Sequence, residues 1–297
     1  MKLALLTCTN LPTWEEDDRF FHAALDLSGI EWSLLAWDSD TDWSTFDVTL
    51  IRTTWDYVDR REQFLERLKE IASQTYLFNP VEIVEWNLEK TYLKDLEDAG
   101  IPIAPTVWID EKIDLNELMI SRGWGRGFLK PVLGACAVDT KRFTVNEIAS
   151  VQVWLNTLVD QGKKMMLQPY LETVETVGEY SVIYFGQRLS HCVQKIPVKG
   201  DYRVQDDYGA SDHPIESIDY PQMMHVADAT LQYLHERFSN VLVIRMDFLK
   251  MSDGRFVINE VEMIEPSLFF RHSTERAGEL LLGELLSQHA KMANRLL

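Results

Sequence analysis

The chain has 297 residues, enough for two or three packed lobes and more than one compact core normally fills. Its 46% hydrophobic and 26% charged residues mark an ordinary globular composition, but 29 basic against 47 acidic side chains leave a formal charge of −18. A surface of that sign repels nucleic-acid backbones and anionic lipid, so neither is an expected partner, and an anionic ligand would need a local cluster of Lys and Arg.

Residues 1–12 carry one Lys and an apolar run too short for a secretory signal, so Lys2–Cys8 reads as a first strand and the chain as cytoplasmic. No stretch approaches the ~20 apolar residues of a membrane span. Cys8, Cys136 and Cys192 are scattered without metal-ligand spacing and read as reduced thiols. Thr13 with Glu16 forms a capping-box pattern, and Trp14, Phe20, Phe21, Ala24 and Leu27 make a helical stripe ending at Gly29. Strands follow at about Glu31–Trp37 and Asp47–Arg52, then a helix from near Asp59 with Phe64, Leu65, Leu68 and Ile71 at helical spacing. This order over residues 1–82 predicts a small open α/β, Rossmann-like domain. Loops at the ends of its strands, with Thr9, Asn10 and the run Arg52 to Tyr57, would wall a ligand crevice.

Over residues 83–164 the pattern predicts a helix at about Asn87–Gly100 that includes Lys90 and packs Leu93 and Leu96. Strands follow near Thr106–Ile109, Gly127–Lys130 and Val138–Phe143, then a helix capped by Thr144 and Glu147 and ending at Gly162. Residues 165–297 carry longer β segments (Met165–Gln168, Tyr180–Phe185, Leu189–Lys195, Val241–Lys250 and Arg255–Met263) and two helices, about 221–239 and 274–295. In the last helix Leu281, Leu282, Leu285 and Met292 read as core.

The strongest local signal is VLVIRMDFLKMSDGRFVINEVEM, in which two β-like runs flank the turn dipeptide Asp253-Gly254. A two-residue turn sets Asp247 opposite Glu260 and Arg245 opposite Glu262, with all four side chains on one face. Three carboxylates around one Arg leave excess negative charge, which a divalent cation with oxygen ligands relieves; Mg2+ fits, using one or two carboxylates with phosphate oxygens and water. A solvated sheet face with surface ion pairs is the alternative, and a three-residue loop would break the register. Lys130 ends an apolar strand at a turn whose Gly134, Ala135, Cys136 and Ala137 are small enough to admit a phosphate to the backbone. Lys90, Lys195 and Arg203 are the other candidate cations.

The order of these pieces resembles the ATP-grasp superfamily: Lys90, Lys130 before a small-residue loop, the hinge Gln168-Pro-Tyr-Leu171, Arg245-Met-Asp247 and Glu260-Val-Glu262. Within it, TTWDY, FNPVEIVEWNLEKTYLKDLEDAGIPIAPT, LQPYLETVETVGEYS, HCVQKIPVKGDYRVQ and INEVEMIEPSLFF are similar to the group containing the cycloserine-forming cyclo-ligase (O-ureido-serine cyclo-ligase). The resemblance implies two α+β lobes that clasp ATP, behind the N-terminal domain. It implies that Lys90, Lys130, Gly134, Ala135 and Lys195 meet the phosphates, and that Gln168, Tyr170 and Leu171 hold the adenine. Glu179 would hold the ribose, with Glu172 and Glu175 as substitutes. Asp247, Glu260 and Glu262 would hold Mg2+, or Mn2+ in its place; many relatives have Asn where Glu262 stands. Arg245 and Lys130 would stabilise the transferred phosphoryl group, and Arg203 that group or a substrate carboxylate. Trp55, Asp56 and Tyr57 with Arg60 would line the acceptor site or pack between lobes, and Arg271 with His272 would reach substrate; His191, His213 and His225 have no role.

The implied activity is an ATP-dependent ligase joining a carboxylate to a nitrogen nucleophile through an acyl phosphate, ring closure included, on a small amino-acid-like molecule. The expected assembly is a monomer or homodimer. A small-molecule kinase and a non-catalytic nucleotide-binding regulator are the rival readings.

Overall fold

The computed structural model describes residues 1–9, 11, 16–134, 138–204, 208–273 and 276–295. The first sheet is parallel, ordered β2-β1-β3-β4, from β1 (Lys2–Thr7), β2 (Glu31–Ala36), β3 (Val48–Thr53) and β4 (Tyr76–Phe78), with α1 (Arg19–Ser28) and α2 (Arg61–Ala72) on its faces. Strands covered on both faces need apolar side chains pointing both ways, hence the unbroken run in β1. Leu3 and Leu5 pack with Phe21 and Leu25, whereas Ala4 and Leu6 pack with Trp37, Phe64 and Leu68. Of the expected stripe in the first helix, Phe21 and Ala24 are buried, but Phe20 and Leu27 face solvent. Asn10, Thr13, Trp14 and Ala135–Ala137 lie outside the described residues.

The helix expected over Asn87–Gly100 is two helices, α3 (Val81–Asn87) and α4 (Tyr92–Asp98), with Lys90 in the break. Tertiary bonds outbid the helical ladder there. The Lys90 backbone N–H donates to Val132 O at 2.9 Å, and the Asn87 side chain bonds the backbone of both Val261 and Met263 at 2.8 Å. The second sheet is antiparallel, ordered β5-β8-β6-β7, from β5 (Val107–Ile109), β6 (Arg126–Pro131), β7 (Lys141–Thr144) and β8 (Met165–Pro169). It packs on α5 (Leu115–Arg122) and α6 (Ile148–Asp160). The Thr144–Glu147 capping box is present. Met165–Pro169 is therefore a strand of this second sheet. An apolar run suits either sheet, and only its pairing with Gly127–Pro131 decides between them.

The third sheet, ordered β11-β10-β9-β12-β13, is antiparallel: β9 (Glu179–Phe185), β10 (Arg188–Ile196), β11 (Ser211–Ile215), β12 (Val243–Lys250) and β13 (Phe256–Glu262). The short α7 (Thr173–Val177) precedes it. One face packs Met246, Phe248 and Ile258 against Met223, Ala227 and Leu234 of α8 (Pro221–Arg237). The other contributes Ile183, Phe185 and Val243 to one core with Leu3, Leu5 and Phe21 of the first domain and Leu281 and Leu285 of α9 (Ala277–Arg295). Gly278 makes that closure possible, because a Cβ there would stand 2.4 Å from the Phe20 carbonyl oxygen. Asn79 pins the seam: its amide donates to Val243 O and Met263 O at 2.8 and 2.7 Å, and its oxygen accepts from Leu242 N at 2.7 Å. No helix among the described residues is long and apolar enough to cross a membrane.

Candidate active site

The hairpin pairs Arg245 with Glu262 and Asp247 with Glu260, the expected register, though by a different route. Met251 N donates to Arg255 O at 2.8 Å, so Ser252, Asp253 and Gly254 form a three-residue turn, with Gly254 at φ 91°. That turn shifts the register by one residue. A β-bulge at Asn259, between the Asp247–Glu260 and Phe248–Ile258 pairs, shifts it back. The bulge also aims Asn259 into the site, where its oxygen accepts from Lys130 Nζ at 3.1 Å and its amide donates to Glu179 at 2.7 Å.

These strands floor a cavity of about 430 Å3, within the range of small-molecule sites. Arg245 donates to both oxygens of Asp247 at 3.0–3.2 Å, to Ser267 O at 2.9 Å, and meets Glu262 at 2.6 Å. Lys195 pairs with Glu179 and with Asp247 at 3.3 Å; Lys130 and Lys90 meet Glu260 at 3.0 and 3.7 Å. Burial pushes the Asp247 carboxyl up, but Arg245, Lys195 and the Ser181 hydroxyl outweigh it and hold the group at about 2. Glu260 is also lowered, burial being outweighed by Lys90 and Lys130. Glu262 goes the other way: burial, with Asp247 and Glu260 beside it, lifts it to about 7 despite Arg245.

Lys90, Lys130, Gly134, Gln168, Tyr170, Leu171, Glu179, Lys195 and Arg203 all line this cavity with Arg245, Asp247, Glu260 and Glu262. Lys90 Nζ also donates to Gly134 O at 2.9 Å, tying the turn after Lys130 to the first helix pair. At the hinge, the Tyr170 ring lies 4.4 Å from the Arg126 guanidinium and 5.8 Å from that of Arg142. Its hydroxyl donates to Glu175 at 2.6 Å. Glu172 pairs with Arg126, while Glu179 is drawn into the ion network of the floor. Two segments meet at the cavity's edge, where Arg142 donates to Gly200 O at 2.8 Å and Thr140 Oγ1 lies 3.0 Å from the Tyr202 hydroxyl, Thr140 and Tyr202 lining the cavity. The Arg203 guanidinium is held by Asp201 and stacks 3.8 Å from the Tyr208 ring.

The N-terminal wall corrects several expectations. Trp55 and Tyr57 line the cavity, and the Trp55 indole donates to Glu265 O at 3.0 Å. Asp56 does not: from the turn closed by Tyr57 N donating to Thr54 O, it accepts from the Trp37 indole at 2.7 Å and pairs with Arg60. Arg52 is buried in a two-bond pair with Asp18, at 2.6 and 2.9 Å. Arg271 and His272 do not reach the cavity; both are held by Asp212, and Arg271 also by Asp17. Sequence reasoning missed Asn259, Ser181 and Glu265. Glu265 lines the cavity three residues beyond Glu262, and burial, then the Glu262 charge, raises it to about 8.

The donor set suits magnesium. Five carboxyl groups (Glu179, Asp247, Glu260, Glu262, Glu265) and four cations (Lys90, Lys130, Lys195, Arg245) line the cavity, and a further cation would favour the charged forms of Glu262 and Glu265, which burial raises to about 7 and about 8. Among the described residues, no three His, Cys, Asp or Glu side chains converge as a ready-made metal cage, and all of these carboxylates but Glu265 are turned onto a Lys or Arg. Mg2+ needs no such cage, because it takes one or two carboxylates and completes its shell with phosphate oxygens and water.

Residues 3–79 match the family described as the D-cycloserine synthetase DcsG, N-terminal domain. Over 279 residues the chain is 28% identical to the cycloserine biosynthesis protein DcsG of Streptomyces lavendulae, spanning 89% of this chain and 90% of that protein. The crystal structure of D-cycloserine synthetase DcsG superposes with a TM-score of 0.86 at 24% identity, over 97% of this chain and all of that one. D-alanyl-alanine synthetase A from Vibrio cholerae gives 0.69 at 14% identity over 98% of both chains. The ATP-grasp ligase PsnB, complexed with minimal precursor, Mg and ADP, gives 0.64 at 14% identity over 97% of this chain and 98% of that one. This chain has the ATP-grasp fold, and in sequence it is similar to the cycloserine biosynthesis protein DcsG.

Proposed function

We propose that the protein is a ligase that spends ATP to join a carboxylate to a nitrogen within one small amino-acid-like molecule, closing a ring, with O-ureidoserine as the first substrate to try. The observation that carries this reading is the convergence on one cavity of Lys90 and Lys130 from one side and Arg245, Asp247, Glu260 and Glu262 from the other. A carboxylate resists a nitrogen nucleophile because it is already negative and offers only oxide as a leaving group. Transfer of a phosphoryl group gives an acyl phosphate, from which phosphate can depart. Lys90, Lys130 and Lys195 would neutralise the nucleotide's phosphates, and Arg245 the charge developing on the transferred group and the tetrahedral adduct. Bound at Asp247, Glu260 and Glu262, Mg2+ would add further charge neutralisation, and Mn2+ would substitute. Gln168, Tyr170 and Leu171 would hold the base, and Glu179 or Glu175 the ribose. The contact of Thr140 with Tyr202 at the cavity's edge would help keep water from the acyl phosphate.

The reading needs no nucleic acid or membrane, works as a monomer or homodimer, and suits a cytoplasmic setting, where ATP is available and Cys8 and Cys192 stay as the free, buried thiols seen here. The test is ADP release with Mg2+ and a panel of amino-acid-like carboxylates, repeated with hydroxylamine. We expect ADP with O-ureidoserine and a trapped hydroxamate. A phosphorylated hydroxyl product with no hydroxamate would make the protein a kinase, and no ADP with any carboxylate would leave a nucleotide-binding regulator.

A further inference from the structure

Each carboxylate on the cavity wall has a lysine or arginine within 4 Å, with one exception. Glu265 lines the same cavity and forms no ion pair among the described residues. Its side chain interacts instead with the hydroxyl of buried Tyr57, and its backbone oxygen accepts from the Trp55 indole at 3.0 Å. A carboxylate left like this, partly out of water and near the charge of Glu262, is costly until a cation joins it. Trp55 and Tyr57 line the same cavity, and aromatic neighbours suit a cation. Arg245, whose guanidinium suits a substrate carboxylate, lines the same cavity.

We infer that Glu265, with Trp55 and Tyr57, is the subsite for the substrate's ammonium group, so that the enzyme selects α-amino carboxylates over carboxylates without the amine. This rests on the ligase reading above and narrows its substrate class. An ammonium fits better than a second lysine-like side chain of the protein because its carbon skeleton would place the carboxylate toward Arg245 at the same time. A metal ion at Glu265 is the competing occupant.

The test compares Glu265→Gln with wild type on O-ureidoserine and on its deaminated counterpart, with Mg–ADP affinity and the Mg2+ requirement measured in parallel. Loss of one charge-assisted contact predicts a KM for O-ureidoserine about 10- to 100-fold higher, with Mg–ADP affinity within about twofold. Wild type and variant should handle the deaminated compound alike, and Glu265→Asp, which keeps the charge, should recover most of the loss. An unchanged KM, or equal losses on both compounds, overturns the inference while leaving the ligase reading in place. A change confined to the Mg2+ requirement overturns it in favour of a metal. Wild-type protein that binds Mg–ADP but turns over neither compound defeats the ligase reading, and the inference with it.

Discussion

The floor of the cavity and its N-terminal wall are built on different principles. On the floor, Arg245, Asp247, Glu260 and Glu262 stand at alternate positions of two paired strands, and the ladder fixes which carboxylate meets which cation. On the wall, Trp55, Asp56 and Tyr57 sit in a loop after β3, and two of the three face the cavity while the third turns away to Trp37 and Arg60. Strand geometry repeats, so a side chain's direction follows from counting. Loop geometry does not, so each direction is settled by whatever partner lies nearby.

If the floor is the chemical half, Glu260→Gln should produce the largest effect. It removes the charge that Lys130 and Lys90 share, and turnover should fall at least about 1000-fold while the melting temperature moves little. Near-normal ADP release would take Glu260 out of the chemistry and blur the contrast.

A second measurement sharpens the seam behind the floor. His191 on β10 lies with Nδ1 2.9 Å from the Ser190 hydroxyl and Nε2 2.9 Å from Leu268 O. Burial lowers its pKa to about 4 and keeps the ring neutral. The unfolded chain binds a proton at an ordinary His pKa that the folded chain refuses. The contribution is therefore complete above about pH 6.5 and is lost as pH falls toward 4, on the order of 3 kcal/mol. Glu262 and Glu265, raised to about 7 and about 8, act in the opposite sense, favouring the folded state as pH falls. The comparison must therefore be His191→Gln against wild type, by urea unfolding from pH 7 to 4. Wild type should lose the more stability, and parallel curves would mean that His191 is not held neutral.

The smallest effect should come from Arg271→Ala on the outer side of the wall. Arg271 pairs with Asp212 and Asp17 away from the cavity, so turnover and KM should stay within about twofold, with a modest fall in melting temperature. A large rise in KM would restore it to the substrate site.

What could be read ahead of the structure follows the same division. The Rossmann-like order of the first domain, the capping box at Thr144 and the acidic face of the hairpin all have periodic or motif signatures. Even there, Asp247 and Glu260 are opposite for a reason the residues alone concealed, a three-residue turn offset by the bulge at Asn259. The break at Lys90 was hidden because its helical spacing is sound and only Val132 and Gly134, far along the chain, draw it out. The sheet that Met165–Pro169 joins was hidden for the same reason.

By itself the sequence determined the acidic face of the hairpin and the lysine ahead of a small-residue turn, because side-chain direction repeats along a strand; the hinge and the ATP chemistry were legible only through resemblance. Tertiary structure alone decided which charges are cancelled and which are left over. Asp247 ends low and Glu262 and Glu265 high through burial and neighbours brought together from separate lobes, and the strength of each such contact depends on distances that no stretch of chain contains.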